Sequence, residues 1–242
     1  MPSLGRLESL LSRSEQERAS RFRFERDRRS YLLAHALLRT ALSHEAEASS
    51  SKPLSPQLAT VSAPPIAPAD WQFVAEGDRK PEILGPETGL TFNISHTVGL
   101  VACVVAHGLA VGVDVEHHEF RGDPAEVART SFSEPERRAL AALSHGAFRR
   151  MFFALWTLKE ATVKALGVGL SMPLDDFAFD LAALDGPRVS FFGTITEAPD
   201  RWQFVLREPG PDHTMALAIR KEPGAPLRVR VREGSALLKP FL

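Results

Sequence analysis

Val111-Gly112-Val113-Asp114-Val115-Glu116 is the stretch whose reading decides the fold. Its alternation is that of a short strand, and residues i and i+2 of a strand share a face. Asp114 and Glu116 therefore lie on one side, backed by Val113 and Val115 on the other. Two carboxylates held this way repel each other unless a cation sits between them. A hard divalent ion such as Mg²⁺, with oxygen ligands and room for phosphate, suits them. Taken alone, the pair has a simpler explanation as two solvated carboxylates on an edge strand. Just upstream, Leu100 to Ala106 is an uncharged apolar run with β-branched content, read as a buried strand that Gly108 ends.

A second segment changes the balance. Phe152 to Lys164 is strongly helical, with Phe148, Phe152, Leu155, Thr162 and Leu166 on one apolar side. Glu160 and Lys164 fall opposite, beside Phe153 and Trp156. On an exposed face such an i,i+4 ion pair adds only about 0.2–0.5 kcal/mol. The flanking aromatics argue instead that these two side chains point into something.

Gly112-Val-Asp-Val-Glu116 and Trp156-Thr-Leu-Lys-Glu160-Ala-Thr-Val-Lys164, with Arg79-Lys80-Pro81 and Phe92-Asn93-Ile94-Ser95-His96 before them, resemble the 4'-phosphopantetheinyl transferase superfamily in its two-lobed, Sfp-type branch. The resemblance implies an α+β protein, a pseudo-two-fold pair of similar lobes, each a small antiparallel sheet packed with a helix. The lobes would be residues 1–110 and 111–242, with a Ser/Pro/Ala-rich loop at about 46–69. The implied reaction transfers 4'-phosphopantetheine from coenzyme A to a serine of an apo acyl or peptidyl carrier protein, giving adenosine 3',5'-bisphosphate. Mg²⁺ would be held by Asp114, Glu116 and Glu160. Glu160 or a metal-bound water would take the serine proton, with Asp114 and Lys164 completing the catalytic set. Arg26, Arg79, Lys80, Pro81, Ser95, His96 and Lys164 would hold coenzyme A. The family usually carries Gly-Lys-Pro where this chain has Arg79-Lys80-Pro81, which makes Lys80 the firmer match. Two rivals are a carrier-binding scaffold without activity and an unrelated Mg²⁺-dependent nucleotidyl or phosphoryl transferase. No Gly-x-x-x-x-Gly-Lys-Ser/Thr loop supports the latter.

Composition is that of a globular protein: 242 residues, 44% hydrophobic, net charge −1. No basic block suggests nucleic acid, no apolar run is long enough for a membrane span, and no signal-peptide core is evident. The single cysteine, Cys103, excludes an internal disulfide. A cytoplasmic monomer with internal symmetry is the expectation.

Along the chain, Ser14-Glu15-Gln16-Glu17 reads as a capping box, followed by an arginine cluster that includes Arg26. A helix from Asp27 to about Ser43 comes next. Ala46 to Pro68 is too rich in proline for helix or central strand. Ser133-Glu134-Pro135-Glu136 is a second capping box. Trp71-Gln-Phe-Val74 recurs as Trp202-Gln-Phe-Val205, and His96-Thr97 as His213-Thr214, each about half a chain later. The repeat would set Arg39 near the counterpart of Glu160, with the acidic site at the seam between halves. His117 and His118 are read as solvent-facing strand-end residues, and the chain after Glu222 as a loosely attached tail.

Overall fold

The computed structural model describes residues 4–50, 64–75, 80–119 and 122–241. Two short helices, α1 (Leu4–Glu8) and α2 (Arg13–Ser20), precede the long α3 (Glu25–Ser50). Two antiparallel hairpins follow: β1 (Gln72–Val74) with β2 (Glu82–Gly85), then β3 (Leu90–Thr97) with β4 (Leu100–His107). After β5 (Ala110–His117) the helical set returns as α4 (Pro124–Ser131), α5 (Glu134–Ala141) and the long α6 (His145–Leu166). Hairpins follow again: β6 (Phe177–Asp180) with β7 (Arg188–Phe191), then β8 (Trp202–Gly210) with β9 (His213–Arg220). β5 joins this second set at its edge, in the order β5-β9-β8. The architecture is the expected α+β one, with small antiparallel sheets packed with helices, and the order of two short helices, one long helix and two hairpins occurs twice along the chain.

The halves correspond through different residues from those the tetrapeptides suggest. Trp71 leads into β1, whose counterpart in element order is β6, whereas Trp202 opens β8. His96-Thr97 closes β3, but His213-Thr214 opens β9. Short strand sequences draw on few residue types, so such matches recur by chance. Buried charge shows the real register. Ser133 and Glu136 form the expected capping box of α5, while in α2 the box is Ser12 with Glu15, because Ser14 already lies inside the helix. Arg39 Nε donates to Glu15 at 2.8 Å, and its Nη1 donates to the Pro68 and Trp71 carbonyls at 2.7 and 3.0 Å. Lys159 Nζ lies 2.9 Å from Glu136 and donates to the Leu174 and Phe177 carbonyls at 2.7 and 2.6 Å. Arg39 is thus the counterpart of Lys159, one position short of Glu160.

Two further expectations change. α3 runs on to Ser50, through the start of the proline-rich stretch, because its first proline comes only at Pro53. Residues 51–63 lie outside the described set. The chain after Glu222 is not a loose tail. Gln203 holds Leu227 through both its backbone N–H and its carbonyl, at 2.7 and 2.9 Å. Val229 packs on Val111, Leu217 and Ile219. A final helix, α7 (Gly234–Leu238), then buries Leu238 among Leu7, Leu10, Leu11 and Leu37 in the first half. Leu237 and Leu238 have apolar surface to cover, and α3 offers it.

Candidate active site

The site forms where the halves meet, along β5. Side chains on alternate residues of β3 join the two sheets. Asn93 Oδ1 accepts from the Val113 N–H at 2.9 Å, Ser95 Oγ from Val115 N–H at 3.3 Å, and Thr97 Oγ1 from His117 N–H at 3.3 Å. These bonds replace a backbone ladder and bring Ser95 beside Asp114. On the other side, Gly112 admits α6. A Cβ there would lie 2.1 Å from the Ala161 carbonyl oxygen and 2.4 Å from Ala165 N. Only glycine allows helix and strand backbones so close.

Lys164 Nζ reaches Asp114 Oδ1 at 2.6 Å and donates to Ser95 Oγ at 3.0 Å. Ser95 Oγ in turn donates to Asp114 Oδ1 at 3.0 Å. Asp114 is 4% exposed, and its Oδ2 is buried with no hydrogen-bond partner among the described residues. A buried carboxylate oxygen left unpaired is costly unless something else binds it.

Glu116 accepts a hydrogen bond from the Trp156 indole N–H at 3.0 Å. Burial, then the charge of Asp114, push its carboxyl up to about 7, against the Trp156 bond and Lys164, while Glu160 adds to the rise. Burial and then Asp114 likewise raise Glu160, with Lys164 opposing. The three carboxylates therefore feel one another across the β5–α6 contact. Among the described residues, no group of three or more His, Cys, Asp or Glu closes into a ready metal cage.

The other sequence-derived residues are dispersed. Ser95 belongs to the centre, but His96 turns to the exposed side of β3. Lys80 donates to the Val111 carbonyl at 2.7 Å, and burial lowers its ammonium to about 8. Pro81 is exposed. Arg26 sits in the first turn of α3, exposed, 3.3 Å from Asp27. Arg79 lies outside the described residues. His117 and His118 are half-buried, not solvent-facing: His117 meets His213 edge-on, and His118 stacks on Phe153 and pairs with Thr214. Strand-end composition cannot reveal that β9 and α6 cover them.

Sequence reasoning missed three groups: the Asn93 and Thr97 seam, the Trp156 bond to Glu116, and the buried Lys159. The polar alternation Asn93, Ser95, Thr97 was the available signal for the first. A lysine between Leu158 and Ala161 on a helix apolar nearly all round was the signal for the last. A separate cavity of about 900 Å³ opens in the first half, lined by Arg13, Arg18, Tyr31, His35, Phe73 and Pro81 among others. Among the described residues, no helix is long and apolar enough to cross a membrane.

Residues 110–218 match the family model of the 4'-phosphopantetheinyl transferase superfamily. The chain is 31% identical over 168 residues to the 4'-phosphopantetheinyl transferase HetI of Nostoc sp., a match covering 68% of this chain and 63% of that protein. It is 27% identical over 226 residues to a phosphopantetheinyl transferase of Thraustochytrium sp., covering 88% and 72%. Sfp of Bacillus subtilis is 29% identical over 177 residues, covering 73% and 69%.

Proposed function

The chain belongs to the 4'-phosphopantetheinyl transferase superfamily, and from that premise we propose that it transfers 4'-phosphopantetheine from coenzyme A to a serine of an apo acyl or peptidyl carrier protein. The serine oxygen bonds to the phosphorus that carries pantetheine. The bond from that phosphorus to the bridging oxygen breaks, and adenosine 3',5'-bisphosphate leaves with the electron pair. The serine proton passes to Glu160 or to a water beside it.

The observation that carries this reading is the divided carboxylate of Asp114. One oxygen is held by Lys164 and Ser95; the other is buried and unpaired among the described residues, and the charge of Asp114 raises both Glu116 and Glu160. Hard oxygen donors with an orphaned atom fit Mg²⁺, which needs only one or two protein carboxylates and takes water and phosphate for the rest. Bound there, the ion would neutralise charge on the pyrophosphate as the leaving group departs. Asp114, Glu116 and Glu160 would hold it. Lys164 would offset phosphate charge from the side of Asp114 that faces Ser95. Lys80 and His96, with Arg13 and Arg18 of the first-half cavity, suit the nucleotide end. The protein would work as a cytoplasmic monomer.

Mass spectrometry of apo carriers after incubation with coenzyme A and Mg²⁺ tests the activity. One serine of at least one carrier should gain a phosphopantetheine mass. No adduct on fatty-acid, polyketide or peptide carriers, with folded protein, rejects the assignment.

A further inference from the structure

Lys159 sits between Trp156 and Glu160, yet none of its contacts reach the carboxylate site. It is fully buried, with three acceptors for its three N–H groups: Glu136 and the carbonyls of Leu174 and Phe177. Its ammonium lies 4.2 Å from the Phe177 ring centroid. Glu136 is equally committed, accepting from Ser133 N–H, Ser133 Oγ and Phe179 N–H at 3.0, 2.7 and 3.0 Å. The strut ties α6 to the cap of α5 and to both ends of the turn entering β6.

Successive side chains on a helix point about 100° apart, so fixing Lys159 towards α5 fixes the direction of Glu160. Gly112 sets how close α6 comes to β5, but a glycine contact does not set rotation about the helix axis. The geometry points to Lys159 as a positioning residue: it locks the rotation of α6 and so aims Glu160 at the Asp114 carboxylate. This rests on the reading of Asp114, Glu116 and Glu160 as metal ligands.

The first half carries the same strut with arginine. Arg39 takes Glu15 and the Pro68 and Trp71 carbonyls, lies over Phe73, and is followed by Thr40 where α6 has Glu160. Glu15 accepts from Ser12 N–H and Ser12 Oγ at 2.8 and 3.0 Å, as Glu136 does from Ser133. Buried ion pairs are often replaceable by apolar side chains without loss of stability, so their worth is in the geometry they specify. The duplication supplies both a conservative replacement, Lys159→Arg, and a control strut with no carboxylate to aim.

The test is Mn²⁺ binding to the full chain in the presence of coenzyme A, read as free ion by electron paramagnetic resonance, beside the thermal midpoint. Lys159→Met should weaken Mn²⁺ about 10- to 100-fold, as loss of a group that orients a metal ligand does. Lys159→Arg should keep wild-type affinity. Arg39→Met should lower the thermal midpoint as Lys159→Met does but leave Mn²⁺ binding unchanged. A folded Lys159→Met that binds Mn²⁺ like wild type overturns the inference, as does an Arg39→Met that loses affinity equally. A Lys159→Arg with a wild-type midpoint and lost affinity overturns it too, since the ammonium itself would then be needed. If Lys159→Met does not fold, Glu136→Gln takes its place: weakened Mn²⁺ supports the strut and unchanged Mn²⁺ rejects it. Wild-type protein that binds no Mn²⁺ overturns the metal-ligand reading itself, and the inference falls with it.

Discussion

Lys164 and Asp114, fifty residues apart in sequence, meet at 2.6 Å, and Ser95 from the other half of the molecule bonds to both. The contact occupies one oxygen of Asp114 and leaves the other buried and, among the described residues, unpaired. On the proposed reading, the two residues have separable tasks.

Asp114→Asn keeps the shape and removes the charge. Loss of one preorganised electrostatic partner lowers turnover about 10²- to 10³-fold. Steady-state rates across a Mg²⁺ series should show part of the loss recovered at high Mg²⁺. A variant insensitive to Mg²⁺ would mean that Asp114 does not hold the ion.

Lys164→Ala should act on coenzyme A. A hydrogen bond to a charged group contributes about 1.5–3 kcal/mol, so KM for coenzyme A rises about 10- to 100-fold. Extra Mg²⁺ should not restore it. An unchanged KM would confine Lys164 to pairing with Asp114.

Glu116 links the site to pH. In the metal-free protein its carboxyl is raised to about 7 from an ordinary 4.5. Between those values the folded state holds a proton that the unfolded state has lost, so stability declines as pH rises through this window. Thermal midpoints of metal-free protein should fall from pH 5 to pH 8 on this account. Glu116→Gln should flatten that part of the slope. The same proton must leave for Glu116 to bind a cation, so Mg²⁺ affinity should increase over the same range. A Glu116→Gln profile identical to wild type would show that another group governs it.

Gly112→Ala tests the helix-strand contact. Overpacking costs about 1–3 kcal/mol where side chains can shift. Here the obstacle is the Ala161 backbone at 2.1 Å, so the cost should reach the upper end. For a chain of this size that lowers Tm by about 6 °C or more. Calorimetry showing a smaller drop would mean that α6 can stand off from β5.

Leu238→Ala tests the final segment. Leu238 is 4% exposed in the first half's core, and such truncations cost about 2–5 kcal/mol. Urea unfolding should show the midpoint lowered. A neutral result would return residues 222–241 to the status of a loose tail.

The sequence by itself determined the parts whose signal is local. The i,i+2 alternation through Asp114 and Glu116 and the helical spacing from Phe148 to Lys164 each name an element and its polar face, because backbone geometry repeats every two or 3.6 residues. Gly167 at φ +69 closes α6, as a glycine just past a helical run does. Tertiary structure alone decided which faces meet. Nothing within either motif says that Lys164 will choose Asp114, that Trp156 will bond Glu116, or that Lys159 will turn away to Glu136. Those choices follow from strand register and the Gly112 approach, which join residues tens of positions apart. The repeat shows the same division. Its tetrapeptides were legible and misleading, because short apolar strands resemble one another. The buried Glu15–Arg39 and Glu136–Lys159 struts define the true correspondence, since an unpaired buried charge is too costly to keep. The end of the chain was misread for the same reason: proline, glycine and arginine describe a solvated segment, and only the surface of α3 reveals what Leu238 covers.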